Sequence, residues 1–284
     1  MPRPARVTVV EVGARDGLQN EAALVGTAAK IRFVEALAAA GLPVVEVTSF
    51  VRPDLVPQLA DAGDVLRGIH RRPGTRYPVL VPNLRGLERA LAAGADAIAV
   101  FTAASEAFAQ ANIGMTIEQS LEAFAPVLER ARRVGAWRRG YVSTAFGCPY
   151  QGAVDPDAVV SVTLRLLDLG CEEVSIGDTI GVAVPEQVTD VGCRLLDHVP
   201  VEQLALHLHD TGGRALDNAT AGLDLGIATF DSSAGGLGGC PFAPGAPGNL
   251  ATGDLLGLLD ALGIEHGVDA AAVAAAVAGL ALTR

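Results

Sequence analysis

Eight short apolar runs, at 7–12, 44–48, 77–81, 97–101, 140–144, 173–176, 204–208 and 229–232, punctuate this chain. Between them lie stretches with helical periodicity, at 27–40, 84–93, 117–134, 156–169, 185–198 and 216–225. Several of these end on an apolar residue and a glycine (Gly41, Gly94, Gly170, Gly226) just before the next run. Glycine there suits the left-handed residue that closes a helix. Eight strands alternating with helices in 284 residues predict an α/β fold, a TIM (β/α)8 barrel. The barrel is expected as one domain over 1–284, with 254–284 forming terminal helices. A doubly wound sheet is the alternative, but it usually carries a GxGxxG turn after its first strand, and none follows here.

Composition narrows the function. Half the residues are hydrophobic and 19% charged, so a large packed core is expected. A net charge of −11 argues against nucleic acid, whose phosphates need clustered cations. No uninterrupted apolar run reaches membrane-spanning length and no apolar leader is evident, so no membrane role and a cytoplasmic location are expected. Lys30 is the only lysine and falls inside a helical pattern that reads as surface, which makes lysine Schiff-base chemistry a poor fit. Of the four cysteines none has CxxC spacing. Cys171 and Cys193 read as small core residues, whereas Cys148 and Cys240 sit in Gly-Cys-Pro turns where a thiol is reachable.

Catalysis in such barrels sits at the C-terminal strand ends, and those ends are polar. The first run leads into Arg15-Asp16, the second carries Glu46 and Thr48, the third ends at Asn83, the fourth at Thr102 and the fifth at Ser143. The sixth ends in Asp178-Thr179, the seventh in His207-Leu208-His209, and the eighth opens a Gly/Pro-rich loop with Cys240 and Asn249. In a strand, residues i and i+2 share a face, so His207 and His209 project together. Two imidazoles completed by a carboxylate suit a divalent ion, with Asp16, Glu46, Asp178 and Asn249 as available oxygen donors. Arg15 beside such a cation needs carboxylates to hold it, and Glu46 and Asp178 are the expected partners. Any one strand-end carboxylate could equally cap the next helix; several on one rim point to a site.

EVGARDGLQNE at 11–21, EVTSFVRP at 46–53, PVLVPNL at 78–84, GCPY at 147–150, GDTIG at 177–181, HLHDT at 207–211 and GGLGGCP at 235–241 occur in that order. With AASE at 103–106 and GNLAT at 248–252, this series resembles the hydroxymethylglutaryl-CoA lyase family over nearly the whole chain. The resemblance implies metal ligation by Asp16, His207, His209 and Asn249, with Mg²⁺ or Mn²⁺ foremost and Co²⁺ or Zn²⁺ as alternatives. It implies that Arg15 steadies the acetyl-CoA enolate, that His207 also moves protons, and that Cys240 donates or accepts a proton from a mobile loop. Glu46 and Asp178 would orient these groups, and Ser49, Asn83, Ser143 and Thr179 would line the substrate, with Ser49, Asn83 and Ser143 as positioning or capping groups. The implied partner is an acyl-CoA, and the implied assembly a homodimer acting in leucine degradation and ketone-body formation.

The chain departs from the family at Gly212 and Arg214, where relatives often carry Tyr and Gln, and at Thr102, where glycine is common. Loss of the aromatic is expected to enlarge the pocket toward a bulkier or more acidic acyl group. Two competing readings are a condensing acyl-CoA synthase of the isopropylmalate or homocitrate type and a non-catalytic sensor barrel.

Overall fold

The computed structural model describes residues 2–21, 23–238 and 248–280. Its strand segments are β1 (Thr8–Glu11), β2 (Val44–Val45), β3 (Thr48–Ser49), β4 (Val79–Leu80), β5 (Ala97–Ala103), β6 (Trp137–Ser143), β7 (Glu173–Gly177), β8 (Leu204–His207) and β9 (Thr229–Ser232). Every pairing between them is parallel, in the order β2-β1-β9-β8-β7-β6-β5-β4-β3. The two ends of that order are halves of one stave. Glu46 and Val47 join β2 to β3, the Glu46 amide donating to Glu11 at 2.8 Å and the Val47 amide to Pro78 at 2.9 Å. The sheet therefore closes on itself as the expected eight-stave TIM barrel.

The connecting helices are α1 (Thr27–Ala39), α2 (Ala62–Gly68), α3 (Leu84–Ala92), α4 (Glu106–Ile113), α5 (Ile117–Arg133), α6 (Pro156–Asp168), α7 (Pro185–Leu196) and α8 (Ala215–Asp224). The expected C-terminal extension is α9 (Thr252–Ala261) and α10 (Ala270–Gly279). Helix starts follow side-chain capping. Asn83, Ser105, Asp155 and Asp269 each accept a backbone N–H of the turn they open, and Thr116 with Gln119 forms a capping box on α5. Among the described residues, no helix is long and apolar enough to cross a membrane.

The main core lies between barrel and helices, where outward side chains such as Val142, Val174, Ile176, Leu206 and Phe230 meet Leu128, Leu166 and Leu223. The short α2 and α4 were not anticipated, because each offers barely two turns of periodicity. Lys30 is no surface residue: its ammonium is buried against Asp61 at 2.7 Å and the Gln58 carbonyl. Cys193 is exposed rather than core, because it falls on the outer side of α7. Cys148 is buried, with its sulfur 3.0 Å from Ser105 Oγ, so the turn that suggested access closes over it.

Candidate active site

Arg15 and Asp16 leave β1 on a single π-helical turn, Gly13–Gly17, a wide turn that recurs at functional sites. The amides of Arg15, Asp16 and Gly17 all converge on the Val12 carbonyl, which turns both side chains over the barrel mouth. Glu11 fixes the turn from beneath. Its carboxylate accepts Gly13 N–H at 2.7 Å, Ala234 N–H at 2.8 Å and Thr252 Oγ–H at 2.6 Å. Burial pushes the Glu11 carboxyl up to about 7 against these donors.

Arg15 is clamped between two carboxylates. Its Nε donates to Glu46 Oε2 at 2.8 Å and its Nη1 to Asp16 Oδ1 at 2.5 Å. Burial opposes its charge, but Glu46 and Asp16 outweigh that and hold the guanidinium charged. The expected second partner is different: Asp178 turns away from Arg15 and accepts the amides of Val182 and Ala183, each at 3.0 Å. It closes its own strand-to-helix turn, and burial pushes it up to about 6.

Asp16, His207 and His209 each offer a ligand atom within 4.8 Å of one another. The two Nε2 atoms face each other at 3.2 Å, and His207 Nδ1 lies 3.2 Å from Asp231 Oδ2. Burial and neighbouring His207 push His209 down to about 4, so it stays a neutral donor. Asp16 is held down to about 2: burial would raise it, but Arg15 and the histidines prevail. Asn249 Nδ2 donates to Asp16 Oδ2 at 2.8 Å, while its buried Oδ1 has no hydrogen-bond partner among the described residues. Gly238, at φ +96°, must be glycine here, since a Cβ would lie 2.7 Å from Asn249 Nδ2.

This donor set fits a divalent cation: Asp16, His207 and His209 bring their ligand atoms within 4.8 Å of one another, and the buried Asn249 Oδ1 beside them has no hydrogen-bond partner among the described residues.

The site's floor includes residues that the sequence did not single out. Tyr141 points inward from β6 with its hydroxyl 3.3 Å from Glu46 Oε2; the Arg15 guanidinium lies 5.6 Å from its ring centre and His207 stands edge-on to it. Arg139, fully buried, donates to Tyr141 Oη at 2.9 Å and to Asp231 at 2.6 Å. Ser175 Oγ–H donates to Asp231 at 2.9 Å. The only local signal was the inward parity of Arg139 and Tyr141, and it lay hidden because β6 starts at Trp137, ahead of the expected 140.

The remaining expected substrate residues divide. Ser49 is buried at the end of β3 with its hydroxyl 3.3 Å from the Leu80 carbonyl, and Ser143 ends β6 half-buried. Thr179 Oγ1 accepts the Thr144 amide at 2.7 Å, which supports a Thr144 backbone held at φ 56°. Asn83 is an exposed cap on α3 beside Arg85 and Phe50. Thr102 Oγ bonds Ser120 on α5, outside the barrel. Arg214 is exposed just before α8. At Gly212 a Cβ would meet the Gly181 carbonyl at 2.8 Å, so this turn has room only for glycine. Cys240 lies outside the described residues.

Fold and site together define a class: a (β/α)8 barrel with a cation-type donor set at its C-terminal mouth, set against a buried arginine. A family model described as HMGL-like matches residues 6–278. The mitochondrial hydroxymethylglutaryl-CoA lyase of Rattus norvegicus is 52% identical over 94% of this chain and 82% of its own length. The crystal structure of hydroxymethylglutaryl-CoA lyase from Pseudomonas aeruginosa superposes with a TM-score of 0.96 at 51% identity, covering 99% of this chain and 93% of that one. An HMG-CoA lyase from Acinetobacter baumannii in complex with coenzyme A and 3-methylmalate superposes at 0.92 with 38% identity, covering 97% and 92%. The chain belongs to the HMGL-like family.

Proposed function

We propose that this protein is a divalent-metal-dependent carbon–carbon lyase that cleaves 3-hydroxy-3-methylglutaryl-CoA to acetyl-CoA and acetoacetate. The observation that carries this reading is a three-ligand cluster, Asp16, His207 and His209, with Arg15 bonded directly to its carboxylate at 2.5 Å. The names of the similar proteins support the substrate, and the coenzyme A held by one of them supports an acyl-CoA.

Asp16, His207, His209 and Asn249 Oδ1 would hold the metal, Mg²⁺ or Mn²⁺ foremost, which supplies Lewis acidity toward the tertiary hydroxyl and its neighbouring carboxylate. The resemblance also gives His207 the hydroxyl proton, which it can take only at Nε2 while that nitrogen is off the metal; Nδ1 faces Asp231, which against the burial favours the charged imidazole. The C2–C3 bond then breaks, C3 becomes the ketone of acetoacetate, and the electron pair forms the thioester enolate of acetyl-CoA. Arg15 faces that developing oxyanion with its own geometry fixed by Glu46 and Asp16. Cys240 is assigned the proton delivered to the enolate carbon on the family resemblance alone. Asp178 shapes the 178–183 turn that borders His207.

Purified protein incubated with Mg²⁺ and hydroxymethylglutaryl-CoA is expected to yield acetoacetate and acetyl-CoA in equal amounts. A chelator should abolish the activity and added Mn²⁺ restore it. The condensing-synthase reading predicts the opposite: no acetoacetate, and free CoA released from acetyl-CoA only when a 2-oxoacid is present.

A further inference from the structure

The lyase reading uses Arg15 at one end of the site and His207 at the other, and leaves unexplained the large cation beneath both. Arg139 has no exposed surface, yet it is charged and inside the barrel. Burying a guanidinium is expensive, and apolar side chains fill a core as well or better. Its contacts indicate what it does. One terminal nitrogen reaches Asp231 at 2.6 Å, and Asp231 Oδ2 in turn lies 3.2 Å from His207 Nδ1. The other reaches Tyr141 Oη at 2.9 Å, and Tyr141 reaches Glu46, the clamp on Arg15. The Nε lies 2.7 Å from Glu173 as an ion pair without hydrogen-bond alignment, which counters the charge and leaves the two terminal nitrogens directed at the chain.

We propose that Arg139 is a positioning residue that sets both ends of the site at once. Through Asp231 it fixes His207 as the Nδ1–H tautomer, with the Nε2 lone pair directed at Asp16 and His209. Through Tyr141 it fixes the Glu46 carboxylate on which Arg15 rests. A carboxylate behind a metal-ligating imidazole orients the ring and raises its basicity; here the carboxylate is itself held by a cation shared with the opposite end. The assignment of the two ends rests on the lyase reading; the readouts of the Asp231–His207 branch, Mn²⁺ affinity and tautomer, do not require turnover.

Three variants separate the branches: Asp231→Asn, Tyr141→Phe and Arg139→Gln. Mn²⁺ affinity by calorimetry and the His207 tautomer by ¹⁵N NMR of metal-free protein are measured beside kcat and KM. Asp231→Asn is expected to weaken Mn²⁺ binding about tenfold or more and to mix the His207 tautomers. Tyr141→Phe should leave Mn²⁺ affinity and tautomer unchanged while kcat falls and KM holds. Arg139→Gln should show both defects, and Arg139→Lys should rescue neither in full, because an ammonium lacks the planar fork. A folded Arg139→Gln with wild-type Mn²⁺ affinity and a single Nδ1–H tautomer overturns the proposal. Should Arg139→Gln not fold, the other two decide it: equal losses of Mn²⁺ affinity in both, or in neither, overturn the split. Wild-type protein that makes no acetoacetate yet shows the Mn²⁺ and tautomer effects would discard the lyase reading and with it the Tyr141 branch, and leave the Asp231–His207 branch standing.

Discussion

The two faces of the same strands obey different rules. Outward from β6, β7 and β9 stand Val142, Val174, Ile176 and Phe230, packed with helix residues into the main core. Inward from those strands, one residue along, stand Arg139, Tyr141, Ser175 and Asp231, joined by hydrogen bonds at 2.6–2.9 Å. The outer face is stabilised by apolar area, which is non-directional and tolerates volume-conserving change. The inner face is a chain of charge-assisted bonds whose worth is direction. The comparison teaches that stability and chemistry in this barrel are divided by strand parity.

That division can be broken by mutating one face at a time. Phe230→Ala removes a fully buried ring from the outer layer and should cost about 3–5 kcal/mol of stability, seen in chemical denaturation. The kcat of the molecules that remain folded should stay near wild type; a large loss would erase the distinction between the faces.

Glu11 is the polar residue whose stability contribution should be most visible. Its folded-state carboxyl, raised by burial to about 7 from an ordinary 4.5, holds its proton more tightly than in the unfolded chain. The stability it contributes is therefore fully present below pH 4.5 and is lost as pH rises through about 7. That loss is about 3 kcal/mol. Melting temperature should fall across this window in the wild type, and Glu11→Gln should flatten most of the slope. A slope unchanged in the variant would assign it to other groups. Asp178, raised to about 6, contributes a slope of the same sign.

The smallest expected stability effect belongs to Tyr141→Phe, about 1 kcal/mol for lost hydrogen bonds at an otherwise conserved ring. Its kcat should nonetheless drop severalfold, a ratio of effects inverse to that of Phe230→Ala. Equal behaviour of the two variants would sink the parity argument.

Strand parity also explains what the sequence revealed. The eight staves were legible because each is a short apolar run followed by a turn, and His207 and His209 because they lie two apart in one of them. Asp16, Arg15 and Glu46 were legible at strand ends, where an apolar barrel has no need of charge. Arg139 and Tyr141 were not, because Trp137-Arg138-Arg139 reads as a charged approach to a strand, and the partner that makes Arg139 interior, Asp231, is 92 residues away. Asp178 was legible as a site-face carboxylate, but not its choice of partner, since backbone amides of the following turn satisfy it before Arg15 can. The glycine at 212 read as an enlarged pocket; its close backbone contact with Gly181, which leaves no room for a Cβ, was not legible because the two turns are 31 residues apart.

The central claim is that Arg15 serves the chemistry while Asp16, His207 and His209 serve the metal, although Arg15 touches Asp16. The most direct test measures Mn²⁺ binding and acetoacetate release in parallel for wild type and Arg15→Gln. The account predicts acetoacetate from the wild type, Mn²⁺ affinity within about threefold in the two proteins, and turnover lowered by about 10²–10³-fold in the variant. Near-normal turnover by Arg15→Gln, or loss of its Mn²⁺ site together with its activity, would contradict it.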